Sequence, residues 1–151
     1  MSKLIKIIAL LILWVSPVYA AVTIDDQLKI LNEATQLCSK FYVKCEAQLL
    51  DLDIPHARSV AGKTIQVTTG MGKLLNKDEY RSVVYHELGH VALRHSMRQA
   101  IYVTNSMRSG TFDKIFWSKM RHKHELEADK FAVLLAQFLK QNNSLDTALE
   151  K

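Results

Sequence analysis

At 151 residues, 48% of them hydrophobic and 23% charged, the chain has room for one domain with a small core. Its formal charge of +5 is a modest basic excess, and no run of cations is interleaved with aromatics. That balance excludes nucleic acid as the expected partner.

The first residues, Met1-Ser2-Lys3-Leu4-Ile5-Lys6, are basic, and an apolar run over 7–15 follows. Pro17 then breaks any helix, and Val18-Tyr19-Ala20 offers the small residues a signal peptidase needs. Residues 1–20 therefore read as a secretory signal peptide and 21–151 as a single domain, exported to a periplasm or the exterior. The run is short of the about 20 apolar residues of a membrane span. An uncleaved N-terminal anchor is the second reading and the one route to a membrane. No Cys follows Ala20, which argues against a lipid-modified terminus.

From Asp25 or Asp26 the pattern is helical, with Leu28, Leu31, Ala34, Leu37 and Cys38 as the core face and Thr23 to Asp26 as the start signal. Cys38 and Cys45 are the two cysteines, and an exported chain is expected to pair them. On one unbroken helix they would stand about 10 Å apart, beyond the ~7 Å limit for a bridge. A disulfide therefore requires the helix to stop near Phe41-Tyr42-Val43. Over 43–52 the period changes to alternation, with Cys45, Ala47 and Leu49 on one face, and a strand is expected. Two further strands flank Ala61-Gly62-Lys63 as a β-hairpin. A small antiparallel sheet follows from these runs, and its edge could take an extended peptide as an added strand.

Asn76 with Glu79 three residues on is a capping box, opening a helix expected to run from Lys77 through His95 to about Arg98. Within it lies Tyr85-His86-Glu87-Leu88-Gly89-His90. Residues four apart share a helix face, so His86 and His90 present two imidazoles to one ion. Glu87, at the edge of that face, is placed to take a proton from water without being a ligand. Val83, Val84, Leu88, Val91 and Ala92 make the helix core-bound, and a buried His-Glu-His without a metal would strand polar groups. Gly89 in the interior costs about 1 kcal/mol against Ala, so something packs closely there.

Residues 100–117 lose periodicity and read as a long loop whose aromatics either form a flap or, for Phe116 and Trp117, pin it to the core. The last long helix is expected over 118–140, followed by a separate short turn after Asn142. A catalytic zinc takes three protein ligands, and His95, His122, His124, Glu125, Glu127 and Asp129 are the downstream candidates. His95 lies about 140° around the helix from His90, and Glu127 about 200° from Glu125, facing solvent. Glu125 and Asp129, four apart, make the better set: a ligand carboxylate, and an acceptor for the ring N–H of a ligand histidine.

The two stretches His86-Glu87-Leu88-Gly89-His90-Val91-Ala92-Leu93-Arg94-His95 and Glu125-Leu126-Glu127-Ala128-Asp129-Lys130-Phe131-Ala132 together resemble the M48 family of metallopeptidases. That family holds CAAX prenyl endopeptidases, HtpX-like heat-shock proteases and small periplasmic members. The resemblance covers about 54–136. It implies an α+β, zincin-like (gluzincin) minimal catalytic domain with two metal-bearing helices. It further implies Zn²⁺ held by His86, His90 and Glu125, Glu87 as catalytic base, and Asp129 behind the ligands. Family members often carry Arg shortly before the zinc-binding Glu, where this chain has Arg121-His122-Lys123-His124. Arg121, His122, His124 and Tyr102 are thus open candidates for stabilising a tetrahedral intermediate. The expected activity is metalloendopeptidase action on exported or envelope proteins. Rival readings are an envelope chaperone that holds clients with little cleavage, and a latent enzyme gated by residues 100–117.

Overall fold

A computed structural model describes residues 21–149, with side chains through residue 140. The signal-peptide reading of 1–20 lies outside the described residues. Helix α1 (Ile24–Lys40) starts where Thr23 Oγ1 accepts the Asp26 N–H, with Asp25 and Asp26 in the first turn. Its buried face is Gln27, Ile30, Leu31, Ala34, Leu37 and Cys38. Leu28, expected inward, is instead 44% exposed. Gln27 takes the inner place because its Nε2 donates to the Val22 carbonyl at 2.9 Å.

The helix ends at Phe41, and Tyr42 at φ 55° turns the chain back. Cys45 thereby reaches Cys38 at a Cα–Cα distance of 5.8 Å, and the two form the expected disulfide. Strand β1 (Glu46–Leu50) follows, then the hairpin of β2 (Ala57–Val60) and β3 (Thr64–Thr68). Ala61 and Gly62 of its turn adopt φ 51° and 65°, and the Lys63 N–H donates to the Val60 carbonyl at 3.0 Å.

The sheet order is β1-β3-β2, and the sheet is mixed, where the sequence suggested an antiparallel one. β2 and β3 pair antiparallel, but the chain crosses from β1 to the far edge before returning, so β1 lies parallel to β3. Ala47 and Leu49 pack on the core as the alternation predicts.

After the short helix α2 (Thr69–Leu74), α3 (Lys77–Ala92) opens with the expected box: Asn76 Oδ1 accepts from the Asp78 and Glu79 N–H groups, and Glu79 accepts from the Asn76 N–H. α3 packs against α1, the sheet and α5. It stops earlier than expected: Arg94 at φ 55° breaks the helix, and α4 (His95–Ser109) starts in a new direction. Residues 100–109 are thus helical, against the loop reading. Gly110 at φ 66° ends α4.

α5 (Lys114–Leu149) runs without the break expected near Asn142. Tyr102, Phe112, Phe116 and Trp117 pack on one another with ring centroids 4.9–6.0 Å apart, so Phe116 and Trp117 pin the α4–α5 tip together and leave Phe112 and Phe116 half exposed. The described part is α+β, five helices on a three-stranded sheet. None of the described helices is long and apolar enough to cross a membrane.

Candidate metal centre

α3 and α5 approach unusually closely at Gly89. A Cβ there would lie 3.1 Å from the Ala128 Cα and 3.2 Å from its carbonyl oxygen. The missing side chain lets the two helices meet backbone to backbone, which answers the close approach expected at this glycine. With the helices that close, His86 and His90 of α3 face Glu125 of α5. Their Nε2 atoms are 3.1 Å apart, and Glu125 Oε2 lies 3.3 Å from His86 Nε2 and 3.5 Å from His90 Nε2.

Donors bound at 2.0–2.1 Å around a tetrahedral zinc stand about 3.3–3.4 Å from one another. This triangle therefore has the size such an ion requires, and two imidazoles with a carboxylate are a donor set that zinc accepts. The Glu125 side chain is 52% exposed, so the fourth direction is open, as in catalytic sites.

Behind the triangle each imidazole has a partner. His86 Nδ1 is 2.8 Å from Asp129 Oδ1, the arrangement expected for that aspartate. His90 Nδ1 is 2.9 Å from His95 Nδ1, and His95 Nε2 is 3.0 Å from Glu127 Oε2. If His90 Nε2 faces a metal, its Nδ1 carries the hydrogen and donates to His95 Nδ1. His95 then carries its own hydrogen on Nε2 and donates it to Glu127. Arg98 Nη1 donates to the same carboxylate at 2.9 Å, and Lys123 Nζ lies 3.7 Å from its other oxygen.

The His124 ring stacks on His95 at 4.2 Å and 4°, while Gln99 meets its Nδ1 at 3.2 Å. His95, His124 and Glu127 also bring one donor atom each within 4.8 Å of one another, but both His95 nitrogens are engaged, with His90 and Glu127, and two cations already attend Glu127.

Burial governs the ionisation of this cluster. It pushes the Glu87 carboxyl upward, and Glu125 adds to the rise, while His86 and the Ser59 backbone pull the other way. Burial lowers His90 and His124, and takes His95 to about 4 with help from His124. Three neutral imidazoles result, the state that coordinates or accepts.

A family model, peptidase family M48, matches residues 44–140, well over half of the chain. The chain belongs to peptidase family M48. No curated protein and no solved structure matches it. M48 membership supports a peptidase of the metal-dependent kind, and His86, His90 and Glu125 are a group able to hold a metal ion.

In this M48 domain a cleft of about 550 Å³ borders the triangle at His90 and Glu125. Its walls include Ala57, Arg58 and Ser59 of β2, with Glu87, Trp117 and Arg121. β2 is an edge strand, paired to β3 on one side only.

Of the four candidates for the intermediate, Arg121 lines the cleft. The Tyr102 hydroxyl is engaged with Asp113, donating to its carbonyl at 3.0 Å and accepting its N–H at 3.1 Å. His124 is fully buried against His95, and exposed His122 does not border the cleft. Sequence reasoning set His95 and Glu127 aside. His95 stays outside the ligand triangle, as its helical angle suggested, but the break at Arg94 swings it behind His90. Glu127 turns toward α4 and not to solvent. The signal that could have found both is their chemistry: a third His just after the first motif and a further acid inside the second.

Proposed function

We propose that this M48 domain is a zinc-dependent endopeptidase of the gluzincin type that cleaves exported or envelope proteins. The observation that carries the reading is the His86–His90–Glu125 triangle of 3.1–3.5 Å edges, with the half-buried Glu87 carboxyl facing the same cleft. Zinc bound there supplies a Lewis acid toward the scissile carbonyl and makes water a better nucleophile near neutral pH.

Glu87 takes the proton of the attacking water and passes it to the leaving amine nitrogen as the C–N bond breaks. Its upward-shifted pKa suits a base that must also return the proton. Arg121, at the cleft wall, donates to the oxyanion that develops on the carbonyl oxygen. The free edge of β2 pairs with the substrate backbone as an added strand, holding the scissile bond across the triangle. Asp129 fixes the His86 tautomer, and His95 with Glu127 fixes that of His90.

An ionisable base in the cleft favours hydrolysis over the client-holding reading. The test is Glu87→Gln. The variant is expected to keep the wild-type zinc content by metal analysis and to lose at least about 100-fold in cleavage of a disordered protein substrate. Wild-type turnover in Glu87→Gln would remove the assignment. Glu125→Ala should lose zinc on dialysis, and unchanged zinc content would remove Glu125 from the ligand set.

A further inference from the structure

Helix α5 has two faces of different chemistry. One brings Glu125 and Asp129 to the histidines and packs Ala128, Ala132 and Leu135 into the core. The opposite face presents Ile115, Lys119, Leu126, Lys130 and Val133 at steps of four, seven, four and three, a single line along the helix. On that line Ile115, Leu126 and Val133 are 68%, 55% and 56% exposed, and Phe116, Leu134 and Phe138, also at least half exposed, lie about 75–115° further round the helix, on the flank beyond Lys123. Lys119, Lys123, Lys130 and Lys140 stand among them, all exposed. The carboxylates of residues 114–140 are Glu125, Glu127 and Asp129; each is engaged with a histidine, and Asp129, 67% exposed, borders the line at its metal side. The outward face therefore carries mainly hydrocarbon and ammonium groups, with the polar side chains of His122 and Gln137 between them.

Water would hydrate the lysines but leave the hydrocarbon exposed, and patches of this kind mark interaction surfaces. A second copy of the chain would bring the same face, so lysines would meet lysines with no anion between them. A plane of anionic headgroups over acyl chains answers both halves. The ammonium groups reach phosphates along flexible stems while the apolar side chains enter the boundary. From Ile115 to Phe138 the face extends about 35 Å at 1.5 Å per residue, enough to lie flat across several headgroups.

We propose that the outward face of α5 docks this domain on an anionic bilayer surface, lying in the headgroup plane without crossing it. The docking is independent of the peptidase reading and needs no N-terminal anchor.

The test is cosedimentation of the full chain with vesicles of phosphatidylglycerol and phosphatidylcholine, or of phosphatidylcholine alone, at low salt. Wild type is expected to bind the anionic vesicles at least about tenfold more tightly than the neutral ones, and to release in high salt. Lys119→Glu with Lys130→Glu should weaken anionic-vesicle binding by about 30-fold or more, with circular dichroism unchanged. Residues 1–20 are common to both proteins, so any lipid affinity of that segment contributes equally. Should the lysine pair fail to fold, Val133→Ser with Leu134→Ser provides a second arm, expected to weaken vesicle binding by about tenfold or more. Equal binding by wild type and a folded variant overturns the proposal, as does absence of binding by wild type. A dimer in light scattering that the serine pair abolishes, without vesicle binding, assigns the face to a second copy and also overturns it.

Discussion

Helix α3 buries seven of its 16 residues, whereas α4, with 15, buries His95 and Ser106 alone. The two are consecutive, joined at the left-handed Arg94, and both contribute to the proposed metal centre. Their contributions differ in kind. α3 sets the ligand positions, because Leu88 and Val91 lie in the core and Gly89 sits on the Ala128 backbone. α4 supplies one buried imidazole from its first turn and then extends into solvent. The geometry of the centre is thus expected to track packing along α3 and to be indifferent to the outer turns of α4.

Substitutions at four positions test that contrast, in falling order of effect. Leu88→Ala empties a fully enclosed site between the ligand histidines and should cost about 2–5 kcal/mol in denaturant unfolding. A cost under about 1 kcal/mol would mean that α3 is less firmly seated than its burial implies. Gly89→Val inserts a branched side chain where even a Cβ is crowded, at about 1–3 kcal/mol. It should also separate Glu125 from the imidazoles, so metal analysis after dialysis is expected to find the zinc gone. A Gly89→Val protein that stayed stable and zinc-replete would break the link between helix approach and ligand spacing.

His95→Ala removes the acceptor behind His90 and should weaken zinc binding by about 10–100-fold in chelator competition. His95→Gln offers a carbonyl acceptor and should recover part of the loss, which a purely packing role would not predict. Ile101→Ser, on the exposed side of α4, should change stability by no more than about 0.5 kcal/mol and leave zinc content alone. A larger loss would show that α4 is packed in solution against something beyond the described contacts.

The same contrast explains what could be read from the residues. α3 declared itself through Asn76 and Glu79 at its start and His86 and His90 on one face, features fixed by spacing within a few turns. Glu125 and Asp129 were legible for the same reason: a carboxylate pair one turn apart completes a donor set that two histidines leave short. The helix stop required by the Cys38–Cys45 bridge was likewise local geometry, and Gly89 announced a close neighbour by lacking a side chain.

What escaped was set by contacts distant in sequence or by unsignalled backbone. Arg94 takes a left-handed conformation with neither Gly nor Asn to mark it, so the helix was carried past its end. α4 looked like a loop because its polar residues bury almost nothing and leave no period to detect. Glu127 was assigned to solvent by an angle measured on its own helix, when its partners, His95 and Arg98, arrive from another. The parallel pairing of β1 with β3 is a property of the crossover and is written in neither strand.

The seam at Gly89 and Ala128 has a consequence for loading. Because two backbones in contact hold the donors together, the ion need not spend its affinity on gathering them. Uptake should then behave as a simple encounter, first order in metal and in protein, with no folding step coupled to it. Such a domain could be stripped and refilled repeatedly, its occupancy following whatever free metal its surroundings hold.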